Sequence, residues 1–193
     1  DKEKRVPPDR QKEAEQQLPP EVEAKMNELS PKAFAIADQT IAAYGKPVEE
    51  YDDIDRATMA GLIFGAICAL AYENGFARLG WFNGTITAIA YQKLHYSVRM
   101  SVKIANLLVF HSGQKENPDM NTVIHTGIDA YFLLDKPEEM SRKIKVFFAE
   151  VHEAFEKARR DGLIEQCMRR RGAPAAFCVL EKSVFFSAKH GTV

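Results

Sequence analysis

Cysteine is scarce. Three thiols in 193 residues, Cys68, Cys167 and Cys178, make an odd count without close spacing. That excludes a disulfide framework and CxxC chemistry, and it points to a reducing compartment such as the cytoplasm. Export as an effector is the alternative route that this count leaves open. No glycine-rich phosphate loop occurs, neither GxGxxG nor GxxxxGK, and GxSxG is missing as well. Neither HExxH nor HxxxH appears, and ExxH, the di-iron signature of helical bundles, is also lacking. No resident metal or cofactor is therefore expected. Net charge is only −1, which excludes a global electrostatic pull toward nucleic acid or membranes.

Sustained alternation of apolar and polar residues is missing too, and so is any Asn-Gly hairpin between strands. What the chain does contain is helical periodicity. Residues 1–19 are polar and charged and read as a flexible amino-terminal arm. Residues 20–193 then read as one all-α domain, a bundle of seven or eight helices around a buried central helix over 57–72. Pro19-Pro20 opens a short helix, and Ser30-Pro31 reads as the cap and first turn of a second one, ended by Gly45. Five carboxylates over 49–55 precede Ala57–Tyr72, sixteen residues without a charge. This run is shorter than the roughly 20 residues needed to span a bilayer and reads as a core helix. Ala57, Gly61, Gly65 and Ala69 recur every four residues, a ridge of small side chains suited to close helix contact.

Residues 74–84 read as a loop, and 84–111 as one long helix with a stripe at Ile86, Ala90, Leu94, Val98, Val102, Ala105 and Val109. A helix begins at Asn117-Pro118. Another runs from Asp135, spaced as a capping box with Glu138, to Gly162. Its inner face is Met140, Ile144, Phe147, Phe148, Val151, Phe155 and Ala158, with acid–base pairs at i,i+4 outside. The helices over 84–111 and 137–161 are expected as the main flanks of the centre. A short helix over 163–171 and a last one from Pro174 to about Ala188 complete the bundle.

Candidate chemistry is thin. His95, His111 and His125 lie on different elements. His125 and Asp129 are four apart, which allows a hydrogen bond that orients the imidazole for base catalysis. The plainer reading is a solvated polar face. Cys167 is followed by Arg169, Arg170 and Arg171, which would favour its thiolate, although a semi-buried small hydrophobe fits as well. Asp53-x-Asp55 lacks the glycine and the further oxygens of a calcium loop. Together His125, Asp129, His95, His111 and Cys167 are the enzyme candidates.

The strongest surface feature is cationic. Arg159, Arg160, Arg169, Arg170 and Arg171 form a carboxyl-terminal patch, and residues 136–193 carry a net charge of +4 against −5 for residues 1–135. Arginine and large aromatics dominate protein–protein hot spots. The partner-binding candidates are therefore those arginines with Trp81 and Tyr96, and Tyr51 and Tyr91 beside them. The expectation is a helical module that acts by contact with another protein, as an adaptor, regulator, effector or inhibitor, without catalysis of its own. A small helical enzyme is the first alternative. Binding of nucleic acid or another anion through the arginine patch is the second.

Overall fold

The structure, a computed structural model, describes residues 18–112 and 118–165. Among them it is all-α. Six α-helices, α1 (Pro20–Tyr44), α2 (Asp53–Glu73), α3 (Leu79–Gln92), α4 (Val98–His111), α5 (Pro118–Tyr131) and α6 (Pro137–Arg160), are joined by one 3-10 turn at Val48–Glu50. The expected amino-terminal arm up to residue 17 and the helix from Pro174 lie outside the described residues, as does most of the 163–171 helix.

α2 is the centre, as its composition predicts. It spans 21 residues, and 89% of its most apolar stretch is buried inside the bundle. By length and composition alone it could cross a membrane. Here neighbouring helices replace lipid around it. Its first turn is fixed by a capping box: the Asp52 side chain accepts from the amide of Asp55, and the Asp55 side chain accepts from the amide of Asp52. The acidic run thus serves the positive end of the helix dipole.

The principal partner of α2 is α5, not the two flanks expected from the sequence. The reason is glycine on both sides of the crossing. A Cβ on Gly65 would lie 2.0 Å from the carbonyl oxygen of Ile124, and one on Gly127 would lie 2.1 Å from that of Leu62. A Cβ on Gly61 would meet only side chain, Val123 Cγ1 at 2.5 Å. The two backbones are therefore in contact over 62–65 and 124–127. The small-residue ridge seen in the sequence is one half of this contact, and Gly127 is the half not singled out there. At the edge of the crossing the Tyr131 hydroxyl donates to Glu73 across 2.5 Å. Burial, then that carboxylate, push the phenol up to about 12.

Three expected boundaries fall elsewhere. The first two helices are one: α1 runs through Pro31. Proline there leaves the Asn27 carbonyl without its helical donor, and Ser30, expected as a cap, instead donates its hydroxyl to the Met26 carbonyl at 2.7 Å. The long helix over 84–111 is two, α3 and α4, broken at residues 93–97, and α3 begins inside the expected loop. Repeated steps of four explain the break. Each advances 400° around a helix of 100° per residue, so the stripe drifts by 40° a step. Carried through one helix, the stripe would leave the core by Val98 and Val102; on α4 itself the buried face is Ser101, Ile104, Ala105 and Leu108, which leaves the two valines 63% and 43% exposed. A new helix, capped by Ser97 at the Met100 amide, starts there instead. α6 begins at Pro137 without a side-chain cap, so the Asp135 capping box does not form. Its buried face is as expected, except that Phe155 is half-buried. Two of its outer charges pair differently: Lys143 reaches Asp129 on α5, and Glu156 takes Arg159.

The glycine crossing gives a graded prediction. Gly65→Ala and Gly127→Ala should each destabilise by about 3 kcal/mol or more, because backbone cannot step aside as a side chain can. Gly61→Ala should cost about 1 kcal/mol. Gly84→Ala on α3, where an added Cβ meets nothing within 4 Å, should stabilise by about 0.5–1 kcal/mol. Urea unfolding of the four variants checks the order. Equal effects at 65 and 84 would mean that α2 and α5 do not touch.

Candidate functional site

Two places concentrate polar chemistry on ordered backbone. The first is internal. Asp55 is fully buried, yet both of its oxygens are occupied. Oδ1 accepts from the Tyr44 hydroxyl at 3.0 Å and lies 2.8 Å from His152 Nε2. A carboxylate only accepts, so Nε2 carries a proton in this contact. Oδ2 accepts from Lys46 Nζ at 2.6 Å and from the Asp52 amide at 3.3 Å. Burial alone would raise the carboxyl, but Lys46, His152 and Tyr44 outweigh it and hold Asp55 below the usual carboxylate range. The Lys46 ammonium is raised in turn by the same bond. Aromatic rings wall the centre: Tyr44 stacks on Phe148 with centroids 3.8 Å apart, and Tyr51 lies 5.5 Å from Tyr44.

Ligating atoms of Asp52, Asp55 and His152 lie within 4.8 Å of one another, close enough to share a cation. The Lys46 ammonium already fills that role against Asp55. The centre is a saturated tie between α1, the 46–52 connection, α2 and α6. Sequence reasoning missed it. Asp55 was weighed only as a calcium ligand, and His152 was not a candidate. The readable signal was the Asp52-x-x-Asp55 spacing of a capping box.

The second place is the corner between α3 and α4. Leu94 and Tyr96 point into the core there, Leu94 with 0% exposure and Tyr96 half-buried. Their amides donate to Ile89 and Ala90. His95 between them is exposed, with φ +57°, and among the described residues it is the only non-glycine residue with positive φ. Lys93 pairs with Asp38 of α1 at 2.7 Å. Tyr91, Val98, Arg99, Val102 and Lys103 are exposed around this corner.

The sequence-derived candidates are scattered. His125 is exposed on α5, and Asp129 serves Lys143 rather than His125. His95 is at the corner and shares no hydrogen bond with either among the described residues. The His111 side chain, Cys167 and Arg169–Arg171 lie outside the described part. Arg159 and Arg160 are exposed in the last turn of α6, where cations favour the helix dipole. Trp81 is not a surface anchor: it is 3% exposed, packs edge-on to Phe76 and Phe82, and donates to Ser30 Oγ at 3.0 Å. Tyr51 is likewise buried. Both are large enough that the core takes them first.

The sequence matches the family described as Immunity protein 48 over residues 30–156, about two thirds of the chain and most of the helical bundle. The chain belongs to this family. No curated protein matches the sequence. No solved structure matches the fold. Membership in Immunity protein 48 identifies an inhibitor-type module that binds another protein, in line with the coarse expectation from the sequence.

The Asp55 centre makes a pH prediction. A carboxyl held low in the folded state contributes stability that is complete above its ordinary value of 3.8 and is lost as pH falls through the lower native value. Asp55→Asn should cost about 1–3 kcal/mol at neutral pH, because a neutral amide cannot accept from Lys46, His152 and Tyr44 together. The gap between wild type and variant should close as pH drops below 3.8. A gap that stays constant down to strong acid would show that Asp55 is not the charged partner of Lys46.

Proposed function

We propose that this chain neutralises a protein toxin by binding it directly, as a rigid non-catalytic inhibitor. Family membership over α1 to α6 carries this reading. The physical character of the bundle supports it. Its one buried carboxylate among the described residues is bonded at both oxygens. Of the histidines proposed as catalytic candidates, the described His95 and His125 are exposed elsewhere and do not converge on it. The surface, in contrast, offers fixed helix faces with exposed aromatic, aliphatic and cationic side chains. Such faces bind with little reorganisation and so lose little free energy to ordering.

The reading is tested with toxins from the same organism. Co-expression should rescue growth against one of them and not against unrelated toxins. The purified pair should elute as a complex of defined stoichiometry, and the toxin's activity in vitro should fall in proportion to bound inhibitor. Rescue without any complex, or a chain that chemically alters the toxin at substoichiometric amounts, would replace binding with catalysis.

A further inference from the structure

We infer that the α3–α4 corner, presented by Tyr91, His95, Val98, Arg99, Val102 and Lys103, is the surface that takes the partner, and that the partner offers an acidic protein face with an apolar centre. This rests on the toxin-binding reading above and adds to it the location and the chemistry.

Charge comes first. From residue 74 to residue 115 the sequence holds no Asp and no Glu, while Arg78, Lys93, Arg99, Lys103 and Lys115 all fall there. On a chain with a net charge of −1, this is a run of one sign in sequence; in space Asp38 of α1 and Asp53 of α2 border it, at Lys93 and Tyr96. Lys93 is spent on Asp38, but Arg99 and Lys103 are exposed on α4 without an ion pair among the described residues. Unpaired cations beside apolar surface favour a carboxylate-bearing partner and reject a cationic one.

Apolar exposure coincides with it. Tyr91 is 52% exposed and Val98 63%, flanking the break where the hydrophobic stripe leaves the core. Tyrosine and arginine are the residue types enriched in hot spots, and the exposed Val98 and Val102 add apolar area beside Tyr91 and Arg99. The backbone is held firmly underneath. Leu94 and Tyr96 wedge the turn into the core, Ser97 caps α4, and His95 is kept in a left-handed conformation that costs free energy and persists only because its neighbours are fixed. A preformed corner of this kind binds with little backbone ordering cost.

The competing surface is the groove between the end of α5 and the start of α6, about 460 Å³, where Phe132 and Val146 are exposed. Its lining balances Arg142 and Lys143 against Asp129 and Glu139, so it expresses no preference for partner charge. It supplies the control.

The test uses the toxin that the wild-type chain rescues against. Calorimetry would compare wild type with Val98→Asp, with Arg99→Glu/Lys103→Glu, and with Val146→Asp. All the altered residues are exposed, and unchanged melting temperatures would confirm intact folding. The corner variants should weaken binding by at least about 30-fold, and wild-type binding should weaken with salt more than that of the charge-reversed variant. Val146→Asp should bind as wild type does. If Val146→Asp loses binding and the corner variants keep it, the partner sits in the α5–α6 groove: the inference fails and the toxin reading stands. If wild type binds no toxin that it rescues against, the reading itself fails, and the inference with it. Wild-type binding to phosphatidylglycerol vesicles or to mixed RNA, abolished by Arg99→Glu/Lys103→Glu, would reassign the corner to a membrane or nucleic acid and overturn it.

Discussion

Backbone contact between α2 and α5 is the constraint on which the other helices depend. Two helices meet at this distance only where neither carries a Cβ, and Gly65 and Gly127 meet that condition on opposite sides. One side of α2 is thereby closed by main chain. Its remaining circumference must be covered by α1, α3, α4 and α6, which is why sixteen consecutive residues can dispense with charge. A helix buried all round has no polar face to orient it. The crossing supplies the orientation that amphipathicity cannot.

Asp55 completes the arrangement at the other end of α2. A buried charge is tolerated only when its partners offset the loss of water, and here four groups converge on one carboxylate. They come from different places: α1 supplies Tyr44, the following connection Lys46, and α6 His152. α6 touches α2 little, so the His152 contact, together with the Tyr44–Phe148 stack, helps to set its depth and rotation. The capping box and the ion-paired centre share one residue. Helix initiation and tertiary docking are therefore coupled in the same side chain.

The helical class, the buried centre and the inner face of α6 were legible because each is a local pattern. The small-residue ridge was legible as half of a contact; its complement, Gly127, is a lone glycine in a polar-looking helix with no period to mark it. The α3–α4 break was misread because a count of apolar residues at spacing four ignores the 40° precession of each step. Ser30-Pro31 was misread because a helix already supported by packing can carry an interior proline. Trp81 and Tyr51 were misplaced because hot-spot composition and core composition use the same residues, and only burial separates them. Asp55 was not legible as an ion-paired centre because three of its partners are 9, 11 and 97 positions away.

These misreadings have a common direction. The features that looked functional, Trp81 and Tyr51, are consumed by folding. A feature that looked structural, the stripe through Val98 and Val102, is left over from it. Residues used to close a core cannot also meet a partner, so a binding surface is best sought among apolar residues that the packing rejects. In this bundle the rejection has a geometric origin: α4 packs through Ser101, Ile104, Ala105 and Leu108, and the valines at spacing four fall outside that face. It delivers two valines and two unpaired cations to the outside of a turn that Leu94 and Tyr96 hold rigid. For a protein of the Immunity protein 48 family, whose work is recognition, that residue of misfit between sequence period and helix geometry is where specificity can be written without disturbing the core.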